Sequence, residues 1–120
     1  MHDAATAIYR AAVRTPLVRI DVPRNPGTPE APDELYLKLE LLQPIGSFKI
    51  RGAFNVVRQL SPAELADGVW TVSAGNAALG VAYAARIVGA KASVLVMDTA
   101  PDTKIHALER LGATSVRASY

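Results

Sequence analysis

Apolar and polar positions along the chain change period several times, and each change predicts an element. An alanine-rich stretch at residues 4–14, with Ile8 and Val13, reads as a helix. It ends before Thr15-Pro16, because the residue preceding a proline resists the α region. Leu17 to Val22 reads as a short strand. From Pro23 to Pro32, the prolines at 23, 26, 29 and 32 together with Gly27 forbid a central strand or helix and predict a surface loop. Leu35-Tyr36-Leu37-Lys38-Leu39-Glu40 alternates and predicts a strand. A Gln43-Pro44-Ile45-Gly46 loop then leads to a helix over 48–58 carrying Phe48, Ala53, Phe54 and Val57.

The second half is more regular. Ser61-Pro62 starts a short helix reaching Ala66, and Asp67-Gly68 turns the chain into a strand from Val69 to Ser73. Asn76 to Val88 is apolar on nearly every face, as expected of a helix covered by a sheet and by neighbours. Gly89 closes it, and Ala92 to Met97 forms a continuous apolar strand. Pro101, at a first helical position, opens a helix with Ile105, Leu108 and Leu111 on one stripe. Gly112 ends that helix before a strand near 114–117. Alternating strands and helices with apolar strands predict an α/β fold: an open, doubly wound parallel sheet with helices on both faces.

Composition removes several function classes. The 120 residues fit one ordinary domain, and half are hydrophobic with few aromatics, which suits packed α/β layers. A net charge of +2 arises from 13 basic and 11 acidic residues scattered without a basic stripe, so no nucleic-acid partner is expected. The absence of cysteine excludes disulfides, thiolate metal sites and a cysteine nucleophile. His2 and His106 are the only imidazoles, one at the terminus and one expected on a helix surface, so no histidine metal cluster is expected. The N-terminus lacks the basic start and apolar run of a secretory signal. The most apolar later region, Gly80 to Met97, is interrupted by Arg86 and Lys91, so no membrane partner is expected and the cytoplasm is the expected compartment.

Two segments carry candidate chemistry. Gly46-Ser47-Phe48-Lys49-Ile50-Arg51-Gly52-Ala53 places a lysine at the start of a helix, behind a serine read as its cap. Unpaired N–H groups and the positive end of the helix dipole disfavour an ammonium ion there and favour the neutral amine needed for a Schiff base with an aldehyde. An ordinary N-cap followed by a solvated lysine is the bland alternative. Ser73-Ala74-Gly75-Asn76-Ala77 is the other segment, a strand-to-helix turn at the carboxyl end of a strand, where N–H groups favour an anion. Gly75 permits close backbone approach and Asn76 offers an amide that donates and accepts. Any strand-to-helix turn needs a small residue and a cap, which is the alternative here. Gly75 to Gly80 has the glycine spacing of a P-loop, but Val81-Ala82 stands where Lys-Ser/Thr is required, and no Gly-x-Gly-x-x-Gly occurs.

Taken in order, Thr15-Pro16-Leu17, Leu37-Lys38-Leu39-Glu40, Gly46 to Ala53, Ser73-Ala74-Gly75-Asn76 and Gly80-Val81-Ala82-Tyr83-Ala84-Ala85 resemble the fold-type II pyridoxal-phosphate enzymes, the tryptophan-synthase-β-like family. The resemblance runs from about Thr15 to Val116. Ile50 after the lysine is similar to the threonine/serine dehydratase and serine racemase branch, whereas cysteine and threonine synthases typically carry an aspartate there.

That resemblance implies pyridoxal 5'-phosphate as cofactor and Lys49 as both the Schiff-base lysine and the base that removes the substrate Cα proton. It implies that Phe48 packs by the cofactor ring and Asn76 hydrogen-bonds the ring 3-hydroxyl oxygen. The backbone from Ser73 through Ala74, Gly75 and Asn76 to Ala77, with the Ser73 hydroxyl, would hold the carboxylate of a small amino acid substrate. The implied reaction is ammonia-lyase (dehydratase) chemistry, converting threonine or serine to a 2-oxo acid and ammonia. Lys38 and Glu40 read as structural, solvated strand charges. The implied architecture divides into residues 1–58, an N-terminal segment of the large cofactor domain with the lysine motif, and 59–120, a partial small α/β domain with the carboxylate loop.

Departures also stand out. Ala77 occupies a position where most relatives have histidine, and Leu79 one where glutamine is common. Family enzymes are much longer, and neither a Gly-Gly-Gly run nor an equivalent phosphate-binding loop occurs in these residues. The chain is therefore expected to be the N-terminal part of a dehydratase-like lyase. Serine racemase or another amino-acid enzyme of the family is one alternative, and a non-catalytic remnant or interaction module is another. Whether a longer parent is a homo-oligomer is left open.

Overall fold

The computed structural model describes residues 2–21 and 34–119, so the proline-rich loop expected at Pro23 to Pro32 lies outside the described residues. The elements are α1 (His2–Ala7), a 3₁₀ turn (Ile8–Arg10), β1 (Leu17–Ile20), β2 (Leu35–Lys38), a 3₁₀ turn (Glu40–Leu42) and α2 (Lys49–Val57). They continue with α3 (Pro62–Ala66), β3 (Val69–Val72), α4 (Asn76–Val88), β4 (Ala92–Met97), α5 (Asp102–Arg110) and β5 (Thr114–Ala118).

Two elements differ from the periodicity in a way the hydrogen bonds explain. The first helix does not run to residue 14: it tightens after Ala7 and stops at Arg10. Val13 is drawn out of any helical ladder by the Gln43 side chain, whose amide oxygen accepts the Val13 N–H at 2.9 Å while its NH₂ donates to the Val13 carbonyl at 2.9 Å. The strand expected to reach Glu40 ends at Lys38. Leu39 donates its N–H to the Pro16 carbonyl at 3.0 Å, and the chain then turns so that the Glu40 side chain is half-buried.

β1 and β2 pair antiparallel, with Leu17 opposite Lys38 and Ile20 opposite Leu35. β3, β4 and β5 form a parallel sheet in that order, Val69 pairing with Ala92 and Ser93 with Thr114. The fold is thus a mixed α/β arrangement with a parallel sheet flanked by helices. Sequential parallel strands joined by right-handed crossovers place both connecting helices on one side. Ala92, Val94 and Val96 of β4 are accordingly buried with Ala78, Ala82 and Ala85 of α4 and Ile105 and Leu108 of α5. Among the described residues no helix covers the other face: Trp70, Val72, Leu95, Met97 and Val116 are exposed there.

α4 serves two cores. Its Ala78, Ala82 and Ala85 stripe meets the sheet, while Ala84, with half-buried Tyr83 and Val88, joins Ile50, Phe54 and Val57 of α2 and Ala11 and Ala12. Its nearly all-round apolar sequence follows from that double burial. Because one rigid helix touches both α2 and the sheet, the start of α4 and the start of α2 are held at a fixed separation.

Candidate active site

The segment before α2 is built to deliver Lys49. Gly46 has φ of +67°, a conformation glycine alone adopts without strain, and its N–H closes a turn onto the Gln43 carbonyl at 2.7 Å. Ser47 follows, buried, and its hydroxyl oxygen accepts the Lys49 N–H at 3.3 Å. The N-cap position itself is Phe48, whose backbone is already helical and whose side chain supplies no cap, so Ser47 acts one residue earlier than the sequence reading placed it. Ile50 and Phe54, 0 % and 1 % exposed, fasten the inner face of the helix and turn Phe48 and Lys49 outward. The Lys49 Nζ lies 5.2 Å from the centroid of the Phe48 ring, within cation–π range.

Phe48 stands between two concavities. One is a groove of about 470 Å³ between α2 and α4, lined by Phe48, Lys49, Gly52 and Val56 on one side and Ala77 and Val81 on the other. A second, of about 420 Å³, is lined by Lys38, Glu40, Ser47, Phe48 and Asn76. Phe48 is therefore common to both concavities, with Lys49 and Ala77 in the first and Asn76 in the second. Ser73, Ala74 and Gly75 are half-buried in the β3–α4 turn and line neither concavity.

That turn spends part of its own donor set. The Ser73 hydroxyl oxygen accepts the Gly75 N–H at 3.0 Å, and the Ser73 N–H pairs with the Leu95 carbonyl at 3.1 Å. Gly75 is the N-cap of α4, extended at φ −113° and ψ −158°, and gives no side-chain cap; Asn76 is exposed as the first helical residue. The first turn of this thirteen-residue helix thus has no side-chain cap from its N-cap residue, a position where an anion is favoured.

Behind the lysine lies a polar network that the sequence pattern did not reveal. The Glu40 carboxylate accepts from Arg51 Nε and Nη2, both at 2.8 Å, from Thr15 Oγ1 at 2.6 Å and from Gln43 Nε2 at 3.2 Å. The bidentate Arg51 guanidinium, followed by the other donors, holds the Glu40 carboxyl down at a pKa of about 2 against the cost of its burial. Arg51 is pushed up in turn, chiefly by the same bond. Arg51 Nη2 also donates to the Val13 carbonyl at 3.2 Å, and the guanidinium carbon lies 5.7 Å from the Tyr9 ring. Lys38 donates from Nζ to the Thr15 carbonyl. Lys38 and Glu40, expected as solvated strand charges, are instead tied into the fold, Glu40 as the anchor of this network. The only available signal was an acidic residue eleven positions before an arginine in a helix that also starts the lysine motif, and such spacing has no periodic signature.

Among the described residues, no cluster of histidine, aspartate and glutamate has the makings of a metal site. No described helix is long and apolar enough to cross a membrane. His106 is exposed on α5.

Residues 8–119 match the family described as pyridoxal-phosphate dependent enzymes. The chain belongs to that family. Within it, a mitochondrial threonine dehydratase from Schizosaccharomyces pombe is 41 % identical over 107 residues, covering 88 % of this chain and 17 % of the relative. The processed form of threonine deaminase isoform 2 from Solanum lycopersicum superposes with a TM-score of 0.81 at 32 % identity, covering 98 % of this chain and 32 % of that one. A serine racemase from Dictyostelium discoideum superposes at 0.82 with 34 % identity, covering 98 % of this chain and 38 % of that one. This pyridoxal-phosphate dependent family member thus spans about a sixth of the length of the first of these relatives and about a third to two fifths of the two solved structures.

The residues present fit the ring end of the family cofactor. An exposed primary amine, an aromatic face 58 % exposed beside it, and a groove walled by glycine, alanine and valine suit a flat aromatic aldehyde.

Proposed function

We propose that this chain is the N-terminal part of a pyridoxal-phosphate dependent threonine/serine ammonia-lyase, with Lys49 as its cofactor lysine. The observation that carries the reading is the groove shared by α2 and α4, which has Lys49 on one wall and Ala77 on the other. Bound pyridoxal phosphate supplies the electron sink that makes the substrate Cα–H acidic. Everything else is asked of this chain's own side chains.

Lys49 would hold the cofactor aldehyde through Nζ and would serve as the base at the substrate Cα–H. Phe48 would offer its exposed ring to the cofactor's flat face and shield one side of the amine. Asn76, in the neighbouring concavity, would donate from its amide to the cofactor's phenolic oxygen. The segment from Ser73 to Ala77 takes the substrate carboxylate on the first-turn N–H groups of α4, with the Ser73 hydroxyl hydrogen free to donate because its oxygen is occupied by Gly75. In the overall reaction the Cα proton and the β-hydroxyl would leave as water, and addition of water to the resulting enamine would give a 2-oxo acid and ammonia. The residues that hold the phosphate are not assigned to this chain, which carries no Gly-Gly-Gly run.

Mixing the chain with pyridoxal phosphate, reducing with borohydride and mapping peptides tests the first claim. The adduct is expected on Lys49 in preference to Lys38, Lys91 and Lys104, and an unmodified Lys49 sinks it. A full-length parent is expected to release 2-oxo acid from L-threonine or L-serine. The likeness to a solved serine racemase supports a second reading, which racemisation without 2-oxo acid would favour instead.

A further inference from the structure

Gly80 sits in the middle of α4, buried, where glycine weakens a helix relative to alanine. Its environment explains the choice. A Cβ built on Gly80 would lie 3.1 Å from the Lys49 carbonyl oxygen, 3.3 Å from the Lys49 carbonyl carbon and 3.1 Å from the Ala53 Cβ. Those distances are tighter than ordinary van der Waals contact, and two of the three atoms are backbone. By contrast, a Cβ at Gly52, the glycine within α2, would meet nothing within 4 Å.

The neighbours have little room to yield. Ile50 and Phe54 are seated in the second core, and Arg51 is tied by two hydrogen bonds to Glu40. The Lys49 N–H is meanwhile held by the Ser47 hydroxyl. The Lys49 peptide is therefore held at its nitrogen by Ser47, while its carbonyl occupies space that a side chain at position 80 would enter.

We propose that Gly80 is a positioning residue for Lys49: its missing side chain lets α4 approach the first turn of α2 closely enough to set where the lysine amine enters the groove. This rests on the reading of Lys49 given above. A methyl group at position 80 would push the Lys49 carbonyl away by a few tenths of an ångström, and the amine with it.

The test is reductive trapping with pyridoxal phosphate, read as the ratio of adduct on Lys49 to adduct on Lys91, alongside circular dichroism and a urea midpoint. In the Gly80→Ala chain the ratio is expected to fall roughly fivefold, since small misplacements of a reacting group carry large rate penalties. A folded Gly80→Ala chain that keeps the wild-type ratio overturns the proposal and leaves the Lys49 reading intact. A wild-type chain with no preference for Lys49 overturns the Lys49 reading itself. Should Gly80→Ala not fold, Gly80→Ala with Ala53→Gly removes the methyl–methyl contact and retains the one to the Lys49 carbonyl. A ratio below wild type is expected there, and a wild-type ratio overturns the proposal. The wild-type chain also gives a readout without substitution: a nuclear Overhauser effect between a Gly80 Hα and the Ala53 methyl is expected, and its absence overturns the proposal.

Discussion

The start of α3 and the starts of α2 and α4 solve the same problem in opposite ways. α3 is five residues long and lies on the surface, yet it carries a complete capping box: Ser61 Oγ accepts the Glu64 N–H at 3.3 Å, and Glu64 Oε2 accepts the Ser61 N–H at 2.7 Å. At the N-caps of α2 and α4, which carry the candidate active site, Phe48 and Gly75 give no side-chain cap, and the first turn of α2 has only the single bond from Lys49 N–H to the Ser47 hydroxyl. A cap satisfies the first-turn donors of a helix and so removes them from use by anything else. On α3, a short surface helix, the cap is present; at α2 and α4 packing against the two cores takes its place, which leaves first-turn donors for the ligand proposed above.

If packing is what holds α2, Phe54→Ala is the most damaging change. Deleting a ring 1 % exposed between α2 and α4 is expected to cost about 3–5 kcal/mol in urea unfolding. A loss below that of a cap residue would break the comparison.

Next comes the Glu40–Arg51 pair, whose side chains are 17 % and 22 % exposed. Glu40→Gln is expected to lower stability at neutral pH by about 2 kcal/mol, after allowing for solvent screening. The carboxyl is depressed in the folded chain from 4.5 to about 2, so its stabilisation is full above pH 4.5 and drains away as pH falls toward 2. Urea midpoints for Glu40→Gln should therefore converge on wild type across that acid window; parallel curves would assign the loss to packing instead. Glu64 is also depressed, chiefly by the Ser61 N–H, and leaves a smaller residual slope in the variant.

Ser61→Ala sharpens the comparison from the other side. It should lower stability by about 1 kcal/mol and leave trapping at Lys49 unchanged, because α3 touches neither concavity. The smallest effect is expected from supplying the missing cap. Gly75 has an extended backbone open to any residue, and a Cβ there would lie 3.7 Å from Ser73 Oγ, an ordinary contact. Gly75→Asp should raise stability by about a few tenths of a kcal/mol and weaken amino-acid carboxylate binding in a full-length parent. A destabilised or tighter-binding variant would refute the exchange of cap for ligand.

Much of the second half was readable because its elements are long and their apolar faces continuous: α4 and β4 occupy the expected residues, and Gly89 closes α4 at φ +76°. Pro101 turned out to be the N-cap of α5 rather than its first residue, a shift of one position. The first half was harder for a physical reason. Its backbone is organised by side chains distant in sequence, Gln43 acting on Val13 and Glu40 gathering Thr15 and Arg51, and such contacts leave no period to detect. The lysine and the strand-to-helix turn were both legible as segments. Their meeting around Phe48, and the glycine that lets the two helices close, depend on a helix crossing that only coordinates reveal.

The face of the parallel sheet that no described helix covers equips the molecule with its own optical probe. The chain has a single tryptophan, and Trp70 stands on that face at 75 % exposure. Its emission colour reads the polarity directly above the strands, free of overlap from any second indole. Whatever settles there, the blue shift or its absence is visible without attaching a dye.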